Sequence, residues 1–153
     1  MTQSPYAHRF ICAKDSGGAP PVLLHGSGGD ENDLVPLAEE LAPESPILGV
    51  RATVAIDGGF AFFHRFPDRT IDEGDITART SVLADYIETA LASHSVTRAP
   101  VAIGFSNGAI MAAALLLTRP SLLAGAILVR SLSPFANDLP SRLDGAPVLI
   151  FRR

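Results

Sequence analysis

Short, unbroken apolar runs alternate along this chain with longer stretches in which apolar residues recur every three to four positions. Runs of this kind at Pro21 to Leu24, Ile47 to Val54, Val101 to Phe105, Ala124 to Val129 and Ala146 to Phe151 predict strands buried on both faces. His8 to Ala13 reads as a short edge strand closing at the turn Asp15-Ser16-Gly17-Gly18. Asp33 is a good N-cap for a helix to about Ala42, with Pro36 tolerated in its first turn and Leu34, Leu37, Ala38 and Leu41 as its apolar face. A long helix is predicted from Asp72 to His94, with acids in its first turn and Ile76, Leu83, Ile87 and Leu91 on one stripe. A third runs from Ser106 to Thr118, stopped by Pro120. Between them lie an irregular segment at 57–69, which carries half of the phenylalanines, and a loop at 132–144.

Strands alternating with helices imply parallel βαβ units, hence an α/β fold with a mostly parallel sheet covered by helices on both faces. At 153 residues the chain is one domain, without repeat, linker or low-complexity segment. It is 47% hydrophobic and 18% charged, which suits a packed core and not a disordered chain. Lys14 is the only lysine, the net charge is −4, and no basic run occurs, so nucleic acid is not expected as a partner. The lone Cys12 fits a reducing cytoplasm, and the amino-terminal residues carry no apolar signal core. No run approaches a membrane span. A cytoplasmic protein is the expectation.

The segment Val101 to Met111 places Gly104-Phe105-Ser106-Asn107-Gly108 between an apolar strand and an apolar helix. That context suits a sharp strand-to-helix turn that lifts a serine hydroxyl above the sheet. A serine is a weak nucleophile and needs a base, an acid to orient that base, and donors for the developing oxyanion. The Asn107 N–H at a helix start is one such donor, and the Ser27 N–H in the loop His25-Gly26-Ser27-Gly28-Gly29 is the expected second. Ser106 as a mere helix N-cap is the duller reading, but a cap does not require glycine on both sides. The His25 loop as a phosphate-binding turn is weaker, because Glu31 stands where the dinucleotide fingerprint needs glycine and no Walker lysine is present.

The two glycine loops, with Asp30, Glu31, Asp33 and Leu34 after the first, resemble the carboxylesterase/phospholipase branch of the α/β-hydrolases over nearly the whole chain. The resemblance implies a cytoplasmic esterase or thioesterase acting on small carboxylic esters through a Ser-Asp-His triad, without cofactor or metal. Ser106 is then the nucleophile, with Ser27 and Asn107 as oxyanion donors. His25, Phe62, Phe63 and His64 are expected on the substrate side: the phenylalanines as pocket wall, His25 orienting the oxyanion loop, and His64 on the rim. A base role for His25 or His64 is the less favoured alternative.

The departures from that family bear on activity. No histidine follows Ser106, and the only later acids are Asp138 and Asp144. The chain is therefore expected to be carboxyl-terminally incomplete, lacking the last strand and helix, with the triad acid and histidine absent. The competing reading is a catalytically inactive chain that binds an acyl ligand or a partner through its open sheet edge. An uncovered final strand further predicts self-association. His8 and His94 read as surface positions, Cys12 as a buried strand residue, and Asp30, Glu31 and Asp33 as helix-start acids rather than metal ligands.

Overall fold

In the computed structural model, residues 6–12, 18–137, 143 and 145–152 are described. Asp138 and Asp144, and most of the turn expected at 15–18, lie outside them. The main sheet is formed by β1 (Ala7–Ile11), β2 (Pro21–Leu24), β3 (Ile47–Arg51), β6 (Val101–Phe105), β7 (Gly125–Val129) and β8 (Val148–Phe151). A separate hairpin joins β4 (Val54–Ile56) to β5 (Gly59–Ala61). The helices are α1 (Val35–Leu41), α2 (Glu73–Ser93) and α3 (Asn107–Thr118). Strand order in the sheet is β1-β3-β2-β6-β7-β8, with β1 antiparallel at one edge and every other pair parallel.

Side-chain alternation divides the core between the two faces of the sheet. Val22, Leu24, Leu48 and Ala102 face a large cluster with Ile76, Leu83 and Ile87 of α2 and Ile110, Met111 and Leu115 of α3. Leu23, Ile47 and Ile103 point the other way, against Val35 and Ala38 of α1. Helices thus cover both faces, as the uninterrupted apolar strands require. Nine of the twelve residues of α3 are buried, which explains why it has no polar face at all. In α2 the expected stripe is buried, and Asp72 caps the helix by accepting the Asp75 N–H at 3.0 Å.

Several expectations are corrected. The third strand ends at Arg51, not Val54, because the Ala52 N–H turns to the ring of His25 and Val54 opens the hairpin instead. Helix α1 starts at Val35 with Leu34 as its cap residue, and it buries Val35 and Ala38. Leu37 and Leu41 are exposed, since only one turn of this seven-residue helix faces the sheet. Cys12 is exposed and not buried, because β1 has already ended at Ile11. His94 is exposed and His8 half-buried, and the two meet: their Nε2 atoms lie 3.1 Å apart, and His94 stacks on Phe10 at 3.9 Å between centroids.

Candidate active site

Ser106 sits where β6 leaves the sheet and α3 begins. Its backbone has φ 51° and ψ −109°, in the left-handed half of conformational space that residues with a Cβ rarely adopt. Two hydrogen bonds hold it there: the Ser106 N–H donates to Val129 O at 2.8 Å, and the Ser106 carbonyl accepts the Ile110 N–H at 3.0 Å. The hydroxyl makes no capping bond to the helix, so Ser106 occupies the cap position without doing a cap's work.

The flanking glycines make the turn possible. A Cβ on Gly104 would lie 2.7 Å from Ala109 Cα and from Gly108 O. A Cβ on Gly108 would overlap the carbonyl oxygens of Leu24 and His25. The first turn of α3 therefore crosses directly over the ends of β6 and β2, backbone against backbone, and no side chain fits between.

Because the first intrahelical bond of α3 is Ile110 to Ser106, the Asn107 N–H is among the donors left without an intrahelical acceptor. Across the sheet, Gly26 to Gly29 form a turn closed by Gly29 N–H to Gly26 O at 3.0 Å, with Gly28 at φ 86°, as a type II turn demands. The N–H groups of Gly28, Gly29 and Asp30 are bonded to Phe60 O, Gly26 O and Asp33 Oδ2. Ser27, at the exposed corner of that turn, is the candidate donor of the loop.

His25 is only 1% exposed and both ring nitrogens are engaged. Nδ1–H donates to Gly26 O at 2.7 Å, and Nε2 accepts the Ala52 N–H at 3.1 Å, which sets a neutral tautomer. Burial pushes its pKa down; the Gly26 contact and nearby acids offset only part of that. His25 is thus a strut between the β2 loop and the end of β3, and neither a base nor a surface on which substrate rests.

Phe62 and Phe63 are 0% and 2% exposed, in the core and not on a pocket wall. The Phe62 ring instead packs on His25 at 4.8 Å, and the Phe62 N–H donates to Asn107 Oδ1 at 2.7 Å. His64 is exposed and tied to α2: its N–H donates to Asp75 Oδ2 at 2.7 Å, and its Nδ1 lies 3.2 Å from the same oxygen. Burial raises the Asp75 pKa, but the His64 N–H and the Arg79 guanidinium outweigh it and hold the carboxyl below its ordinary range. Arg79 spans from Asp75, at 2.9 Å, to Thr53 Oγ1, also at 2.9 Å.

Two participants escape a reading of the chain by motif. One is the Asn107 side chain, whose signal was a polar residue opening an otherwise apolar helix. The other is the clamp of Asp75, Arg79 and Thr53, in which Asp75 and Arg79 are an i,i+4 pair on α2 but Thr53 lies 26 residues from Arg79. Among the described residues no three His, Cys, Asp or Glu side chains are grouped to hold a metal ion, and no helix is long and apolar enough to cross a membrane.

The sequence profile of the phospholipase/carboxylesterase family matches residues 52–152. A putative hydrolase, MhqD of Bacillus subtilis (strain 168), is 41% identical over 144 residues, covering 93% of this chain and 72% of the relative. A carboxylesterase of Bacillus cereus superposes with a TM-score of 0.89 at 38% identity, over 95% of this chain and 69% of that one. A carboxylesterase from Mesorhizobium loti gives 0.87 at 30% identity, over 98% and 72%.

Proposed function

This chain belongs to the phospholipase/carboxylesterase family, an esterase-type hydrolase on the α/β-hydrolase fold, and from that premise we propose that Ser106 is its nucleophile. The observation that carries the assignment is the strained backbone at Ser106, held without any capping bond from its hydroxyl. Strain of this kind persists only where the surroundings over-determine it, and here Gly104, Gly108 and two backbone hydrogen bonds do so.

In this reading Ser106 Oγ attacks the carbonyl carbon of a small carboxylic ester, and the N–H groups of Ser27 and Asn107 receive the oxygen that becomes negative. Collapse of the tetrahedral species breaks the bond to the alcohol and leaves an acyl group on Ser106, which water then removes. The proton of Ser106 has to pass to a base and on to the departing alkoxide.

A second reading, favoured by the histidines, is a chain that holds an acyl ligand without turning it over. All four histidines precede Ser106 in the sequence. His25 has both nitrogens bonded, His64 is on Asp75, and His8 is on Tyr86 and His94. In a serine protease, removing the histidine costs about 10⁶ in turnover, with roughly 10³ to 10⁴ over water remaining from oxyanion donors and binding.

A fluorophosphonate probe followed by peptide mapping tests the nucleophile. Label is expected on the peptide carrying Ser106 and absent in Ser106→Ala; label elsewhere, or none, overturns the assignment. Hydrolysis of p-nitrophenyl acetate by the labelled-competent chain, compared with Ser106→Ala, separates the two readings. Equal rates leave the acyl-binding chain.

A further inference from the structure

The register of the sheet carries Ser106 beside two arginines. Phe105 pairs with Val129, and Val129 with Phe151. The ladder continues one step past the strand ends, since the Ser106 N–H donates to Val129 O and the Arg130 N–H donates to Phe151 O at 2.9 Å. Ser106, Arg130 and Arg152 are therefore neighbours along the carboxyl edge of β6, β7 and β8. Neighbouring strands lie about 4.8 Å apart, so the two arginine backbones stand about 5 and about 10 Å from that of Ser106.

Both arginines line one cavity of about 410 Å³ with Ser131, Leu132 and Ser133. Neither has an ion-pair partner among the described residues. Other arginines do: Arg51 is placed against Glu31, Arg79 against Asp75, and Arg119 against Asp85 and Glu88. Arg130 instead reaches over the ring of Phe105, 5.8 Å from its centroid, which turns the guanidinium toward the residue preceding the nucleophile. The hydroxyls of Ser131 and Ser133 donate to the carbonyls of Leu132 and Phe135 and so do not neutralise anything. Two like charges side by side, with no acid placed against either among the described residues, give a local positive field. Arg130 is also held at φ 56°, a second strained backbone position on the same edge.

We propose that Arg130 and Arg152 form an anion subsite beside Ser106 that selects esters carrying a free carboxylate, such as half-esters of short dicarboxylic acids. The planar guanidinium matches a carboxylate through paired hydrogen bonds. Leu132, 55% exposed beside the arginines, gives the intervening methylenes an apolar wall. A ligand with its ester carbonyl at Ser106 and its carboxylate one or two strands away spans the distance set by the register. The proposal rests on the reading of Ser106 as nucleophile, but its binding arm does not need that serine to react.

The test is a titration of monomethyl succinate and of its neutral diester, dimethyl succinate, into the Ser106→Ala chain, followed by calorimetry or amide NMR at low ionic strength. The monoester is expected to bind at least about tenfold tighter, the worth of one charge-assisted hydrogen bond. Arg130→Asn removes the charge while keeping a residue that tolerates positive φ, and should abolish that preference; Arg130→Lys should retain part of it. Equal affinity for monoester and diester, or a preference unchanged in Arg130→Asn and in Arg152→Gln, overturns the proposal. Displacement of the monoester by inorganic phosphate at equal affinity also overturns it, because the edge would then be a trap for any anion. Failure of fluorophosphonate labelling at Ser106 would remove the nucleophile and leave this binding result standing.

Discussion

The Asn107 side chain accepts the backbone N–H of Phe62 at 2.7 Å, so the residue next to the nucleophile is latched to the aromatic segment 45 positions earlier. Asn107 is 2% exposed and Phe62 0%, which places this bond where water cannot replace it. Truncating Asn107 to Ala leaves the Phe62 N–H buried and unpaired, at a cost of about 1–3 kcal/mol. Urea unfolding of Asn107→Ala should show that loss as a lower midpoint with unchanged slope. A loss below about 0.5 kcal/mol, the range of ordinary surface changes, would mean that the latch is not formed in solution.

The two glycines of the elbow are crowded by backbone, as Gly49 and Gly59 are, whereas Gly74 is not. Gly108→Ala would drive a methyl into the Leu24 and His25 carbonyls, which are parts of a sheet strand and its loop and cannot swing aside. Overpacking of this kind costs about 1–3 kcal/mol or more. Gly74→Ala, at the start of α2, meets only Asp72 Oδ1 at 3.4 Å and gains helix propensity, so it should be neutral or stabilising by up to about 1 kcal/mol. Thermal melts of the pair should move in opposite directions; a Gly108→Ala chain as stable as the parent would show that α3 does not cross β2 this closely.

What was legible in the chain was whatever depended on neighbours in sequence. Apolar runs became strands, the start and the stripe of α2 fell where their spacing put them, and the glycines at 104 and 108 marked the elbow. Positions decided by distant partners read poorly. Phe62 and Phe63 look like pocket wall until His25 and Asn107 are seen to pull the segment into the core. Leu37 and Leu41 have helical spacing, yet α1 offers only one turn to the sheet. Arg130 is one of several scattered arginines until the register sets it beside Ser106. His25 carries both lessons: its loop is plain in the sequence, but its tautomer depends on Ala52, 27 residues away.

The β8 edge should make the chain associate with itself. Leu149, Ile150 and Phe151 are each about half exposed, and no described strand pairs with the outer edge of β8. Beside it lies an apolar cavity of about 300 Å³ bounded by Leu116, Leu128, Leu132, Val148 and Ile150. An unpaired apolar edge is a template for another strand. Sedimentation velocity should detect species larger than the monomer, shifting toward the monomer in Ile150→Lys. A parent chain that stays monomeric at high concentration would contradict this.

Stability should fall as the pH drops below neutrality, and two histidines give the sign. His25 is lowered from its ordinary 6.5 first by burial, and His8 first by burial and then by the charge of His94. In each case the unfolded chain takes up a proton at a higher pH than the folded one. The stabilisation is therefore complete above about 6.5 and is lost as the pH falls through the folded values. For His25 the structural reason is explicit: a proton on Nε2 would confront the Ala52 N–H, donor against donor, in the core. Asp75, whose pKa is lowered from 3.8, adds a second loss only at much lower pH. Thermal melts should hold a level Tm from pH 8 to about 7 and decline as the pH falls below about 6.5. His8→Gln, which cannot be protonated, should flatten part of that decline, and a Tm level or rising over the same interval would show that neither histidine is held neutral by the fold.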